Sequence, residues 1–170
     1  TYGQNIRQDV RSVLVSADAL EGLPKDYIEA HPPEADGTVR ITTDYPDFFP
    51  FQTYSPDATQ REALYNAFMS RGYPANKPLM RELLGLRDEM AELLGFETWA
   101  DYHAEDKMAK SADRIREFVE DLAKTVRPMA KRELKGLLRY KKKDIKRAKG
   151  IEVWDRFYYV AKVRQAEHDF

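Results

Sequence analysis

The sequence contains no cysteine, and histidine is scarce, with three residues among 170. The absence of cysteine excludes disulfide bonds, thiolate nucleophiles and sulfur-ligated zinc, and it favours a cytoplasmic location. No apolar run approaches the roughly 18 residues that a membrane-spanning helix needs. The amino terminus also lacks the apolar core of a signal peptide.

Charge of one sign is equally lacking, because 28 Lys and Arg residues nearly balance 29 Asp and Glu residues. A net charge of -1 provides no overall field that would attract nucleic acid or an anionic membrane. The chain begins without Met and stops at Phe170, inside a pattern that is typical of a helix. These two ends predict that the chain is a fragment of a longer protein.

Residues 1–54 read as a mixed region of loops, short helical turns and short strands. Alternating apolar residues predict strands at 11–15 and 38–43. Ser16 is a candidate cap for a short turn that Gly22 ends, and Pro24 precedes a predicted helix at 25–30. Residues 44–51 hold four aromatic rings and two prolines, which predict a loop whose rings are buried rather than an aromatic ligand platform.

Residues 55–170 read as helical. Ser55 is the predicted cap of a helix that runs to about Arg71, and a leucine stripe predicts a second helix that Gly95 ends. Thr98 and Ser111 are predicted to cap the next two helices. Trp99, Tyr102 and Met108 are expected to point inward. The helix after Ser111 is long, and Pro128 predicts a kink or a break in it. A final helix is predicted from about Trp154 onward.

The predicted fold class is therefore mainly α: an antiparallel helical scaffold with one or two short β-strands near the amino terminus. We expect the 170 residues to form a single partial region, with 1–54 as its mixed part and 55–170 as its helical part.

A search for catalytic chemistry finds no site. A zinc-peptidase helix needs two His residues four positions apart, with a Glu beside the first. His31, His103 and His168 are far apart, and Ala104 and Lys107 occupy the places of the base and of the second ligand after His103. No nucleophile elbow and no phosphate-binding loop is present. The predicted catalytic, cofactor-binding and metal-binding residues are therefore none.

One basic stretch allows an alternative function. Seven of the eleven residues at 139–149 are cations, which is compatible with binding a phosphate backbone or another acidic partner. The residues from Lys141 to Lys149 would supply this surface in a freestanding helical binding module. Cations also favour an exposed helix carboxyl end, and this second interpretation makes nucleic-acid binding the weaker one.

Six stretches, in the same order along the chain, resemble the family of thimet oligopeptidase, neurolysin and oligopeptidase A. The most specific is 83–111, with its Leu-Leu-Gly-Phe, Ala-Asp-Tyr and Lys-Met-Ala-Lys-Ser segments. The others are 21–27, 36–51, 61–71, 126–134 and 154–159.

The resemblance implies a zinc-dependent peptidase that hydrolyses short peptides in a deep channel between helical halves. In such an enzyme the zinc activates water while a Glu acts as base. The family's His-Glu-x-x-His segment lies carboxyl-terminal to the stretches matched here. The resemblance therefore assigns scaffold and channel wall to this chain, with zinc and peptides bound by the intact parent protein and no catalysis by the fragment alone.

A truncated scaffold is also expected to expose apolar surface that the parent would cover. We predict self-association of the fragment or a loosely packed carboxyl-terminal helix, with Trp154, Phe157 and Tyr158 as the exposed set.

Overall fold

The secondary structure of the computed structural model, which describes residues 1–167, is mainly α-helical with one small sheet. This confirms the predicted fold class. The helices are α1 (Tyr2–Gln8), α2 (Lys25–Ala30), α3 (Tyr45–Tyr54), α4 (Ala58–Met69), α5 (Asn76–Leu93), α6 (Trp99–Ala104), α7 (Ala112–Asp144) and α8 (Arg156–Glu167). Short 3-10 helices occupy Ala17–Leu20 and Val153–Asp155. No helix within the described range has the length and apolar character needed to cross a bilayer.

The sheet pairs β1 (Ser12–Ser16) with β2 (Thr38–Thr42) in antiparallel register. Val15 lies opposite Val39, and Val13 lies opposite Ile41, so the β-branched residues share one face. That face lies on the core, whereas Leu14 on the other face is 49% exposed. Both predicted strands are therefore confirmed.

The described chain forms two compact units. The first comprises Gly3–Gly72 together with the segment from Leu134 onward, and the second comprises Tyr73–Glu133. The hydrophobic core lies in the first unit, where the sheet packs against α3 and α4. Its members include Tyr27, Phe48, Phe51, Leu64 and Ile41.

The segment predicted as a loop at 44–51 is instead the start of α3, so that prediction is wrong. Pro46 is the second residue of the helix, where the missing backbone donor has no intrahelical partner to lose. Pro50 does lie inside the helix. A proline in a helix interior destabilises the helix by about 3 kcal/mol. Burial of Phe48 and Phe51, which contributes roughly 1.5–3 kcal/mol for each ring, offsets this cost. The expected burial of the rings holds for these two, whereas Tyr45 and Phe49 are exposed.

Two further helix boundaries differ from expectation. Asp57, not Ser55, caps α4, because its carboxylate accepts hydrogen bonds from the backbone N–H groups of Thr59 and Gln60. Ser55 is fully buried behind the end of α3. Helix α7 runs through Pro128 without a break, since only one hydrogen bond is lost in a helix of 33 residues.

In the second unit the predicted end of α5 at Gly95 and the predicted cap of α6 at Thr98 are present. The apolar side chains of this unit, however, are largely exposed. Gly95 has a φ of 79° after α5, and Thr98 Oγ1 accepts a hydrogen bond from the N–H of Asp101. Trp99 and Tyr102 are half-buried against each other, whereas Met108 is fully exposed, contrary to prediction. Exposed apolar residues follow one face of α5 and of α7: Leu83, Leu86, Met90 and Leu93, then Ile115, Phe118, Val119, Leu122, Val126 and Met129.

The residues predicted to be exposed at the start of α8 are not the exposed set. Tyr158 is only 8% exposed, while Trp154 and Phe157 are half-buried. Trp154 packs against Tyr65 of α4, and Phe157 makes an edge contact with Phe49 of α3. These rings therefore pack α8 and the 3-10 helix before it against α3 and α4, whereas apolar side chains on α5 and α7 are exposed.

Candidate functional site

A buried charge cluster joins three distant segments of the first unit. Its centre is Asp155, the last residue of the 3-10 helix before α8. Arg61 Nη2 of α4 donates to Asp155 Oδ1 at 3.0 Å, and Lys141 Nζ from the end of α7 donates to Asp155 Oδ2. Arg61 and Asp155 have no exposed surface, and Lys141 is 8% exposed. The two cations compensate the charge of the buried carboxylate. Without them the unpaired buried charge would strongly destabilise the fold.

The remaining hydrogen bonds of the cluster fix its orientation. Arg61 Nη1 donates to the carbonyl of Ser55 at 2.6 Å, and its Nε donates to the carbonyl of Trp154 at 3.3 Å. The backbone N–H of Glu152 donates to Asp155 Oδ2 at 3.0 Å. Burial alone would raise the pKa of Asp155, but the hydrogen bonds from Lys141, Glu152 and Arg61 outweigh it and hold that pKa below its ordinary value.

The ring of Tyr158 lies close to Arg61 of the cluster and to Lys162 of α8. The Arg61 guanidinium carbon lies 4.3 Å from the ring centroid, and Lys162 Nζ lies 4.8 Å from it. Lys162 also donates to Asp144 Oδ2 at 2.8 Å. Burial lowers the pKa of Lys162, but hydrogen bonds to Asp144 and Tyr158 outweigh it and raise that pKa above its ordinary value. Lys162 therefore stays charged at neutral pH.

A groove of about 810 Å³ lies beside Tyr158, between α8, the end of α3 and the turn before α2. Its apolar lining residues include Phe157, Val160 and Ala161 of α8 and Tyr54 of α3. Its charged lining residues are Glu21, Lys162 and Arg164. The volume falls within the range of sites for small ligands.

Within residues 1–167, no group of three His, Asp or Glu side chains is arranged to hold a metal ion. His31 is stacked on Tyr27, with Nδ1 2.7 Å from the Tyr27 carbonyl and Nε2 3.2 Å from Asp47 Oδ1. His103 is stacked on Trp99. His168 lies outside the described residues. The donor sets around the two described histidines therefore do not fit a zinc centre.

The basic stretch at 139–149 is not a continuous surface. Lys141, its first lysine, points into the charge cluster, so its predicted place in a binding patch is wrong. Tyr140 also has a partner in the fold, because its hydroxyl lies 3.2 Å from Glu167 and Lys143 Nζ lies 4.1 Å from its ring. Five cations remain exposed on this stretch beyond Tyr140: Lys142, Lys143, Lys146, Arg147 and Lys149.

Comparison with known proteins identifies the family. The sequence matches peptidase family M3 over residues 51–170, which is most of the chain and includes the whole charge cluster. This chain belongs to peptidase family M3.

Three curated relatives show how much of an M3 protein the chain represents. Oligopeptidase A of Salmonella typhimurium is 33% identical over 165 residues, covering 89% of this chain and 24% of the relative. Thimet-like oligopeptidase of Dictyostelium discoideum is 34% identical, and saccharolysin of Saccharomyces cerevisiae is 28% identical, each covering 93% of this chain and 24% of the relative. The M3 chain thus spans about a quarter of the length of these relatives.

Sequence reasoning missed the charge cluster of the M3 chain. Arg61 and Asp155 are 94 residues apart, and each lies beside charged residues that are not buried: Asp57 and Glu62 beside Arg61, and Glu152 and Arg156 beside Asp155. The available signal was the position of Asp155 between Trp154 and the Tyr158–Tyr159 pair, since a carboxylate surrounded by large aromatic residues needs a buried cation.

Proposed function

We propose that the chain is a scaffold portion of a zinc-dependent oligopeptidase, forming one partial, mainly helical region of the channel wall. Family membership carries this proposal. It is supported by the names of the relatives, several of which are oligopeptidases, and by the chain's share of 24% of their length. Zinc binding and peptide hydrolysis then belong to a longer polypeptide that contains such a region.

The role assigned to the charge cluster within this scaffold is mechanical. Asp155 ties the end of α7 to α4 and to the start of α8 through two cations and one backbone N–H. Both of its carboxylate oxygens accept hydrogen bonds from groups of the protein itself, and the Tyr158 ring lies against Arg61. We assign it to positioning the helices and not to chemistry on a substrate.

The proposal is tested by measuring the zinc content and the peptidase activity of the purified chain. We expect no stoichiometric zinc and no cleavage of a fluorogenic short peptide, because the described histidines are engaged with Tyr27, Asp47 and Trp99. Full-length oligopeptidase A serves as the positive control. One zinc per chain together with chelator-sensitive cleavage would overturn the assignment.

The alternative, a freestanding module that binds an acidic partner or nucleic acid, is weaker than the sequence indicated. It retains only the exposed cations beyond Lys141, and the overall net charge of -1 opposes general attraction of polyanions. A cytoplasmic location and short peptides as substrates of the parent protein are part of our proposal.

A further inference from the structure

We infer that the exposed face of α7 is the interface of a homodimer, in which two copies of the chain pair through antiparallel α7 helices. The face is a heptad stripe, whose apolar members alternate in steps of four and three residues: Ile115, Val119, Leu122, Val126 and Met129. Each of these side chains is between 43% and 58% exposed. Two helices that carry this spacing bury it by pairing along their length.

The distribution of charge along α7 makes the face complementary to a second copy of itself. Residues 112–123 carry four acidic and two basic side chains, whereas residues 124–135 carry five basic side chains and one acidic side chain. In a parallel pair, halves of like charge lie side by side. In an antiparallel pair, each acidic half lies along the basic half of the other copy, as a two-fold axis across α7 provides. Such charge patterns select the partner and its orientation more than they raise the affinity.

Glu133 supplies a specific argument against the parallel pair. It follows Val126 by seven residues and therefore continues the heptad stripe at its carboxyl end. Glu133 is exposed, and no described residue forms an ion pair with it. A parallel pair would bring the two Glu133 carboxylates face to face, where like charges repel. An antiparallel pair can instead place Glu133 between Arg114 and Arg116 of the second copy.

The antiparallel register that gives Glu133 these partners also matches the apolar residues. The facing pairs are Ile115 with Glu133, Val119 with Met129, and Leu122 with Val126. Phe118 lies beside the heptad stripe and is 67% exposed. In this register its ring comes close to Arg132 of the second copy, where the guanidinium can stack on the ring. Apolar burial and charge therefore favour the same register.

Cross-linking tests the direction and the register, because the chain has no cysteine of its own. We expect a short bismaleimide to join Val119→Cys and Met129→Cys chains into heterodimers in an equimolar mixture, one variant carrying an affinity tag. Neither variant should cross-link to itself, since ten residues of helix, about 15 Å, separate identical positions in this register.

A mixture of Glu117→Cys and Lys131→Cys is the matched control for cross-linking. These positions share the same register, but they lie on the charged face of α7, away from the heptad stripe. Both native side chains are exposed, so the thiols are equally accessible to the reagent. We expect no cross-linked dimer from this mixture.

Sedimentation equilibrium tests the role of Glu133. Glu133→Arg should raise the dissociation constant of the dimer about tenfold, because repulsion from Arg114 and Arg116 replaces attraction at two symmetric places. Glu117→Arg makes the same charge change on the charged face, and it should alter the constant by less than about twofold because solvent and salt screen it. Circular dichroism should show the same helix content in all variants.

Four outcomes would overturn the inference. One is a wild-type chain that stays monomeric at high concentration, which would leave the heptad stripe to be covered by a different polypeptide segment. The others are self-cross-linking of each single variant, which indicates a parallel pair, equal cross-linking of the control mixture, and equal effects of Glu133→Arg and Glu117→Arg. None of these outcomes bears on the proposed function, whose test measures zinc content and hydrolysis.

Discussion

Lys141 and Lys124 lie on the same helix, α7, in opposite surroundings. Lys141 is buried and donates to the fully buried Asp155, whereas Lys124 is exposed and pairs with the exposed Asp121 at 3.1 Å. Replacing Lys141 by Met leaves Asp155 with one cation, Arg61, and the backbone N–H of Glu152. We therefore expect Lys141→Met to lower the free energy of unfolding by about 3 kcal/mol, measured by urea denaturation.

Lys124→Met makes the same chemical change at an exposed lysine and is the control. We expect it to lower the free energy of unfolding by less than about 0.5 kcal/mol, because exposed ion pairs contribute little to stability. If the two variants lose the same small amount, Lys141 does not stabilise the fold in the way described. The difference between these lysines could not be derived from the sequence, where both belong to a charged run. Only the fold brings Asp155, 14 residues from Lys141, to the end of α7.

Among the elements, α5 was predictable and α3 was not. Helix α5 ends before Gly95, which adopts a positive φ of 79° that glycine reaches without steric cost. A glycine after a run of helical residues can be recognised in the sequence alone. Helix α3 depends on the burial of Phe48 and Phe51 against elements from elsewhere in the chain. The two prolines disfavour a helix in this segment when it is considered alone. The burial of the two rings against the rest of the core stabilises the helix by more than the prolines destabilise it. The charge cluster was missed for the same reason, because its members meet only after the fold has formed.

Pro128 provides a prediction for α7. It removes the backbone donor that would bond to the carbonyl of Lys124, in a part of the helix whose apolar residues are about half exposed. We expect Pro128→Ala to stabilise the helix locally, by up to about 3 kcal/mol, and to slow amide hydrogen exchange at residues 124–132. Pro46→Ala should leave exchange in α3 unchanged, since Pro46 lies in the first turn. Unchanged exchange around residue 128 would contradict the expectation.

For the whole molecule, the exposed apolar faces of α5 and α7 decide how the isolated chain behaves. Leu93 is 88% exposed, Phe118 is 67% exposed and Leu122 is 50% exposed. Monomeric proteins rarely leave apolar patches of this extent in water. We therefore expect the purified chain to self-associate with increasing concentration in sedimentation velocity and to bind a dye that reports exposed apolar surface.

The double variant Phe118→Glu and Leu122→Glu should shift the sedimenting species towards the monomer and lower dye binding, because it places two carboxylates on the apolar face of α7. Lys124→Glu with Lys131→Glu adds the same two carboxylates to its charged face, and this variant should still associate. A wild-type chain that remains monomeric and binds no dye would contradict the prediction. The apolar faces of α5 and α7 would then not be exposed in solution. Equal dissociation of both variants would instead attribute association to net charge and not to the apolar face of α7.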